Sequence, residues 1–111
     1  MHLKNFSLLV DENGFVRLTP AYDLLCTRLV ITDDQLALPV CGKKDNLRRN
    51  LWLEFAKYCP LSERSDVRVL QQQADALPEA LDLINRSFLP DEMKTTYQQL
   101  VEERSQLLLR G

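Results

Sequence analysis

The chain has 111 residues, of which 45% are hydrophobic and 27% charged, and its formal net charge is −2. This size and composition are typical of one soluble globular domain and exclude a disordered polypeptide. The slight negative charge excludes a general attraction to nucleic acid or anionic membranes, and no apolar run approaches the roughly 20 residues that span a bilayer.

Two short apolar segments near the N-terminus predict a β-hairpin. Residues 6–10 form an apolar run, and residues 15–18 alternate apolar with polar side chains. Asn13 and Gly14 between them favour a tight turn in which both residues take positive φ angles. Because two strands alone are marginally stable in water, we expect the hairpin to pack against something else.

The segment after the hairpin has weaker signals. Residues 19–25 predict a turn that enters a short helix, with Pro20 at an early helical position. Residues 28–31 and 36–40 are predicted to be extended. Gly42 ends this region.

A helix of about a dozen residues is predicted around residues 46–58, and Pro60 stops it. The apolar residues that share one side of it are Leu47, Leu51, Trp52, Phe55 and Cys59. Its aromatic residues, Tyr58 included, are predicted to belong to the core and not to a stacking platform.

The clearest helical periodicity follows in steps of four and three residues. Its members are Leu70, Ala74, Leu77, Leu81, Ile84 and Phe88. Pro78 lacks a backbone donor, so we expect a kink or a break within this stripe.

A last helix is predicted to start near residues 90–92, where acidic side chains suit the positive end of the helix dipole. The side chains that it directs inward are Met93, Tyr97, Leu100, Val101, Leu107 and Leu108. Arg110 and Gly111 close it. The chain is therefore predicted to be mainly α, with a short N-terminal β-hairpin.

The cysteines and the N-terminus indicate a reducing compartment. Cys26, Cys41 and Cys59 are odd in number and form no CxxC pair, and there is one histidine, so a zinc site is disfavoured. We expect reduced thiols, buried as small apolar groups, in a cytoplasmic protein. The residues after Met1 lack the features of a signal peptide.

Asn5 precedes the hairpin and Asp23 follows it. Antiparallel strands return the chain to its starting point, so the hairpin is expected to bring the two residues together. An amide oxygen beside a carboxylate suits Mg²⁺ that carries nucleotide phosphates. From the residues alone, the favoured interpretation of Asn5 is a turn or cap residue, and that of Asp23 is a helix cap.

Two motifs resemble those of HipA-family toxin kinases. Residues 1–7, Met-His-Leu-Lys-Asn-Phe-Ser, resemble the family segment Asp-x-His-x-Lys-Asn-Phe-Ser. Residues 18–25, Leu-Thr-Pro-Ala-Tyr-Asp-Leu-Leu, are similar to its Leu-Thr-Pro-x-Tyr-Asp segment, at the separation that the family shows. A weaker resemblance continues through residues 36–42 and 80–82, and so covers nearly the whole chain.

The resemblance implies the helical C-lobe subdomain of a protein-kinase-like fold that transfers the γ-phosphate of ATP to a protein serine. It implies ATP and Mg²⁺ as cofactors and a DNA-binding antitoxin as partner. His2, Lys4 and Asn5 would then belong to the catalytic-loop part of the nucleotide site. Asn5 and Asp23 would hold Mg²⁺, and Tyr22 would border the nucleotide.

The family pattern is incomplete within this sequence. The catalytic Asp of such kinases stands five positions before the metal-binding Asn, and here that position precedes Met1. A phosphate-binding loop and an adenine hinge are also missing. We therefore expect one domain over residues 1–111, with the hairpin and metal ligands in 1–26 and the helical part in 27–111. This chain is expected to be inactive alone and to bind nucleotide and metal weakly or not at all.

Two other functions stay open. The first is a non-catalytic interaction module that binds an antitoxin or the other half of a split kinase. The second is nucleic-acid binding through the basic cluster Lys43, Lys44, Arg48 and Arg49, which the net acidity disfavours. Self-association is expected through the face around Asn5 and Asp23, if no second lobe covers it.

Overall fold

The computed structural model describes residues 2–110 and divides the chain between Leu38 and Pro39 into two compact units. The N-terminal unit, up to Leu38, holds a two-stranded sheet and two short 3₁₀-helices among its described residues. The helical unit, from Pro39, holds four α-helices in its described part. The predicted mainly α fold with a short N-terminal hairpin is confirmed. Met1 and Gly111, which figure in the predicted first motif and helix end, lie outside the described residues.

The hairpin consists of β1 (Leu8–Val10) and β2 (Val16–Leu18), which pair antiparallel. Leu8 lies opposite Leu18, and Val10 lies opposite Val16. The four side chains therefore lie on one face of the sheet, since alternate residues of a strand share a face. All four are about two-thirds exposed, from 64% for Leu18 to 69% for Leu8.

The hairpin turn differs in detail from the prediction. Asp11 N–H donates to Phe15 O at 2.9 Å, and Gly14 N–H donates to Asp11 O at 2.9 Å, which closes a three-residue loop. Gly14 takes φ of +81°, whereas Asn13 has no positive φ, so the expectation for Asn13 is wrong. The Asp11 Oδ1 atom accepts from the backbone N–H groups of Asn13 (2.9 Å) and Phe15 (3.0 Å). This side chain organises a loop in which only the glycine takes the left-handed conformation.

The segment between the hairpin and the helical unit is irregular. No helix forms at residues 19–25, and a 3₁₀-helix, Thr27–Leu29, occupies part of the predicted extended segment 28–31. Ile31 N–H donates to Thr27 O at 2.8 Å, and Thr27 Oγ1 donates to Asp34. These local hydrogen bonds hold a compact turn, so the predictions of a helix and of a strand here are both wrong. Of residues 36–40, only Val40 forms a bridge, with Lys43.

The four helices are α1 (Arg49–Tyr58), α2 (Glu63–Asp75), α3 (Leu77–Arg86) and α4 (Asp91–Leu109). Ser62 caps α2 by accepting from Ser65 N–H at 3.3 Å. The predicted break near Pro78 is confirmed, because α2 ends and α3 begins on either side of Ala76. The predicted start of α4 at its acidic residues is confirmed as well.

The core of the helical unit lies where α4 packs on α2 and α3 while α1 packs on α2. Its buried apolar side chains are Val40, Leu51, Ala56, Leu70, Ala74 and Ile84. Arg49 Nη1 donates to Leu108 O at 3.2 Å and so ties α1 to the carboxyl end of α4, where a cation suits the helix dipole. No described side chain is less than 2% exposed, so the core is shallow.

Several predicted core positions lie at the surface. Tyr58 is 74% exposed and Cys59 is also exposed, since both fall at the end of α1, where the predicted apolar side turns to solvent. Trp52 is half-buried and packs edge-on against Phe55, with ring centroids 6.2 Å apart. Phe88 lies beyond the end of α3 and is fully exposed. No helix within residues 2–110 has the length and apolar character needed to cross a membrane.

Candidate functional site at the base of the hairpin

Asn5 lies at the end of a 3₁₀-helix, Leu3–Asn5, that leads into β1. His2 caps this helix: its Nδ1 atom accepts from Lys4 N–H at 3.3 Å, and its own N–H donates to Asn5 Oδ1 at 2.6 Å. The two bonds form a reciprocal capping box. The sequence-based interpretation of Asn5 as a cap residue is therefore correct for its Oδ1 atom.

The Nδ2 group of the Asn5 amide joins the two ends of the hairpin. Its Nδ2 atom donates to Tyr22 O at 3.0 Å and to Asp23 O at 3.1 Å. In return, Tyr22 N–H donates to Asn5 O at 3.1 Å. The hairpin thus brings Asn5 and Asp23 together, as we predicted from its antiparallel strands.

Ser7 and Thr19 extend this connection toward the strands. Thr19 N–H donates to Ser7 O at 2.9 Å, and Ser7 N–H donates to Thr19 Oγ1 at 3.3 Å. The hydroxyls of Ser7 and Tyr22 share a hydrogen bond of 2.7 Å. The sequence reasoning missed these two residues. Their pairing follows from the hairpin register, because each is the next residue outward from the Leu8–Leu18 pair.

Asp23 adopts the left-handed conformation, with φ of +55°, and its side chain is exposed. Aspartate is one of the few residues that tolerate this conformation. The alternative interpretation of Asp23 as a helix cap is wrong, since the next helical turn begins at Thr27 with Cys26 before it. Within residues 2–110 the Asp23 carboxylate makes no hydrogen bond or ion pair.

A family model, the HipA-like C-terminal domain, matches residues 1–81 of this chain. The match covers well over half of the sequence and includes the whole base of the hairpin. The chain belongs to the HipA-like C-terminal domain family. The matched range also includes α1 and α2 and ends within α3, so the rest of α3 and all of α4 lie outside it.

Two side chains at the base of this HipA-like hairpin carry oxygen atoms of the type that binds a hard divalent cation. Asn5 Oδ1 and the Asp23 carboxylate are the ligand types that Mg²⁺ prefers. The His2 N–H uses one lone pair of Oδ1, and an amide oxygen has a second. No cluster of three or more His, Cys, Asp or Glu side chains exists in the described part of the chain, so water and phosphate oxygens would complete the coordination.

The other predicted nucleotide-site residues lie next to this pair along the chain. Lys4 is exposed in the short helix beside Asn5, and His2 is exposed at the cap. Tyr22 is about half exposed, at 48%, and its hydroxyl is engaged by Ser7. These residues lie close along the chain to Asn5 and Asp23, and their contact with a nucleotide stays a prediction.

A second carboxylate, that of Asp11, lies at the turn of the hairpin and stabilises it. Arg17 forms an ion pair with Asp11, and together with the backbone N–H groups of Phe15 and Asn13 it lowers the pKa of the Asp11 carboxyl. The two partners differ in exposure, with side-chain values of 65% for Arg17 and 19% for Asp11. This carboxylate is committed to the loop and is not a metal-ligand candidate.

The basic cluster named in the sequence lies in the helical unit. Arg49 is bound to Leu108 O, and Arg48 Nε contacts Asn46 Oδ1 at 3.5 Å. Lys43 and Lys44 are exposed. Since Arg49 has a structural role in joining α1 to α4, the cluster offers fewer cations to a nucleic acid than the sequence suggests.

Proposed function

We propose that this HipA-like domain supplies the metal-binding part of the nucleotide site of a serine/threonine kinase. Asn5 and Asp23 hold Mg²⁺ on the phosphates of ATP, and the γ-phosphate goes to a serine of a protein substrate. The bound Mg²⁺ neutralises charge that develops on the phosphates during transfer. His2, Lys4 and Tyr22 border the nucleotide.

The observation that carries this proposal is the contact between the Asn5 amide and the backbone of residues 22 and 23. Its Nδ2 donates to both carbonyl oxygens, at 3.0 and 3.1 Å, which fixes the backbone that bears Asp23 relative to Asn5. Because this backbone is held in place, the two residues lose less conformational entropy when they bind one cation than residues on independent segments would. The family match supports the same assignment, because it includes both residues.

We assign binding of Mg²⁺ and nucleotide to these residues, and we assign none of them the role of the base that orients the substrate hydroxyl. Asn5 and Asp23 are only two ligands, and Mg²⁺ gives up its waters reluctantly, so we expect weak binding of Mg²⁺ and nucleotide.

Titration of the ¹⁵N-labelled chain with Mn²⁺ in the presence of ADP tests this proposal. Mn²⁺ replaces Mg²⁺ at oxygen sites and broadens nearby resonances, so the Asn5 side-chain amide and the Asp23 backbone amide should broaden first. Asp23→Asn should weaken metal binding on the order of 10- to 100-fold, the range seen when groups that support a metal site are lost.

Asp33→Asn is a matched control for this substitution. Asp33 is an exposed aspartate of the same N-terminal unit and also has a positive φ, +56°. The control should therefore keep the metal affinity of the parent chain. Equal weakening by both substitutions, or broadening centred on another acidic region, would contradict the proposed site.

The exposed apolar face of the hairpin favours a second candidate function, a non-catalytic interaction module. Leu8, Val10, Val16 and Leu18 form a face that the described residues leave about two-thirds exposed. Such a face is typical of a surface that another polypeptide covers. The partner in this case is an antitoxin or the other half of a split kinase.

Val16→Lys tests the second candidate, since it places a charge at the centre of this face. Binding to the purified product of a neighbouring helix-turn-helix gene would be measured by isothermal titration calorimetry. Loss of binding in Val16→Lys, with binding kept in Asp23→Asn, supports an interaction module. Partner binding that Val16→Lys leaves unchanged would contradict an interaction through this face.

A further inference from the structure

An open apolar groove lies between α3 and α4, with a cavity volume of about 300 Å³. Ala80 and Leu83 line it from α3, and Tyr97 and Val101 line it from α4. A cavity of about 150 Å³ with apolar walls is large enough to bind benzene in another protein. The groove therefore has room for an aromatic ring.

Phe88 stands next to this groove on the turn that joins α3 to α4. It is the most exposed large hydrophobic residue within residues 2–110, at 107% of the reference value. Ser87 fixes the turn, because its backbone N–H and its hydroxyl both donate to Ile84 O, at 3.1 and 2.7 Å. Leu89 N–H in turn donates to Ser87 Oγ at 3.4 Å, and Leu89 lines the groove.

The turn thus exposes a phenyl ring fully while its two neighbours face the groove. A single exposed apolar residue needs no explanation by itself. Here, however, an exposed ring and an empty groove of suitable size occur in one chain. Apart from Ala80, the residues of the ring and the groove lie beyond residue 81, outside the part that the family match covers.

We infer that Phe88 of one copy of this chain inserts into the α3–α4 groove of a second copy. Each copy carries both the ring and the groove, so one sequence supplies both halves of the contact. This surface is separate from the residues around Asn5 and Asp23 and from the apolar face of the hairpin. The inference is therefore independent of the proposed metal site.

The size of the contact sets its strength. A buried phenylalanine removes roughly 150–250 Å² from water, so one ring and its groove wall together bury roughly 300–500 Å². Even two reciprocal contacts stay below the roughly 1,200 Å² at which specific, stable interfaces begin. The association is therefore weak and depends on concentration.

Sedimentation equilibrium of the full chain, from about 10 µM to about 1 mM, spans the range in which such a contact has its dissociation constant. We expect the weight-average mass to rise with concentration. Phe88→Ala should remove the rise without a change in fold, since the Phe88 side chain is fully exposed. Leu83→Lys should do the same, because it places a charge in the groove at a residue that is 62% exposed.

Two control variants locate the contact. Tyr58→Ala removes an exposed aromatic ring from α1, outside the groove, and should leave the association unchanged. Val16→Lys changes the hairpin face and should also leave it unchanged. Circular dichroism confirms that each variant keeps the helical content of the parent chain.

Three results would overturn the inference. The first is a parent chain that stays monomeric up to about 1 mM. The second is a Phe88→Ala variant that associates as strongly as the parent. The third is loss of association in Val16→Lys, with Phe88→Ala unaffected, which would locate the contact on the hairpin.

Discussion

Asn5→Ala should loosen the base of the hairpin without affecting the helical unit. The substitution removes two hydrogen bonds from Nδ2, to Tyr22 O and Asp23 O, and one to Oδ1 from His2 N–H. Each such bond contributes about 0.5–1.5 kcal/mol net. Since Asn5 is half-buried and water can reach the freed carbonyl groups, we expect a loss of about 1–3 kcal/mol in the local stability of the N-terminal unit.

Hydrogen exchange measured by NMR reports this loss residue by residue. The Tyr22 and Thr19 amides donate to Asn5 O and Ser7 O, so they exchange only when the hairpin base opens. A loss of about 1–3 kcal/mol corresponds to exchange that is roughly 5- to 150-fold faster. The Leu70 amide in α2 should exchange at its original rate, because the chain divides into two compact units.

Asn13→Ala is the matched control, since Asn13 is an exposed asparagine in the turn of the same hairpin. Its loop contact comes from its backbone N–H, which alanine retains. The reasoning fails if Asn5→Ala leaves the exchange of Tyr22 unchanged. It also fails if the Leu70 amide accelerates as much as the Tyr22 amide, because the loss would then be global.

Two further predictions concern the hairpin turn and the helical core. The pKa of Asp11 is lowered from its ordinary 3.8 in the folded chain. The stability that the Asp11 carboxylate gives to the hairpin is therefore fully present above pH 3.8, and it is lost as pH falls through the lowered pKa. Asp11→Asn should abolish this acid dependence, which the exchange of the Phe15 amide over a pH series measures. Leu70→Ala should lower the free energy of unfolding of the helical unit by about 2–3 kcal/mol. This is the lower part of the range for buried Leu→Ala substitutions, because the core is shallow. Chemical denaturation followed by circular dichroism checks it, and a loss below about 1 kcal/mol would contradict the placement of Leu70 in the core.

Sequence signals predicted the fold best where they act locally. Pro78 removes a backbone donor from the α2–α3 stripe, and the break follows at Ala76. The same stripe wrongly predicts a helical position for Phe88, because apolar periodicity does not show where the preceding helix ends. Ser87 ends α3 through bonds to Ile84 O, and the next apolar residue then falls in the turn.

The irregular segment shows a different limit. Residues 28–31 have the composition of a strand, but a strand needs a partner strand. Local hydrogen bonds to Thr27 O and from Thr27 Oγ1 hold a turn here instead. The positive φ of Asp23 was also beyond the sequence argument, since Pro20 appeared to begin a helix. Tertiary contacts at the base of the hairpin override that local signal.

The site itself was half predictable. The return of the hairpin implies that Asn5 and Asp23 lie close together, and its register implies the pairing of Ser7 with Thr19. The orientation of the Asn5 amide is not encoded in any spacing, because it depends on two carbonyl groups that project from an irregular segment. Only the structure could therefore show how the Asn5 amide serves the fold, and its metal-binding role stays a prediction.

The structural and the metal-binding interpretations of Asn5 are compatible, although both use its Oδ1 atom. Its Nδ2 atom serves the fold, since it holds the backbone at residues 22 and 23. Its Oδ1 atom accepts one bond from His2 and keeps a second lone pair for a cation. An aspartate at this position would keep an oxygen ligand but lose the two N–H donors of Nδ2. An alanine would lose both the oxygen and the donors. An amide can close the hairpin and also serve as the proposed metal ligand. Asn5→Asp tests the two roles separately, because it should accelerate exchange at Tyr22 while the proposed metal binding persists.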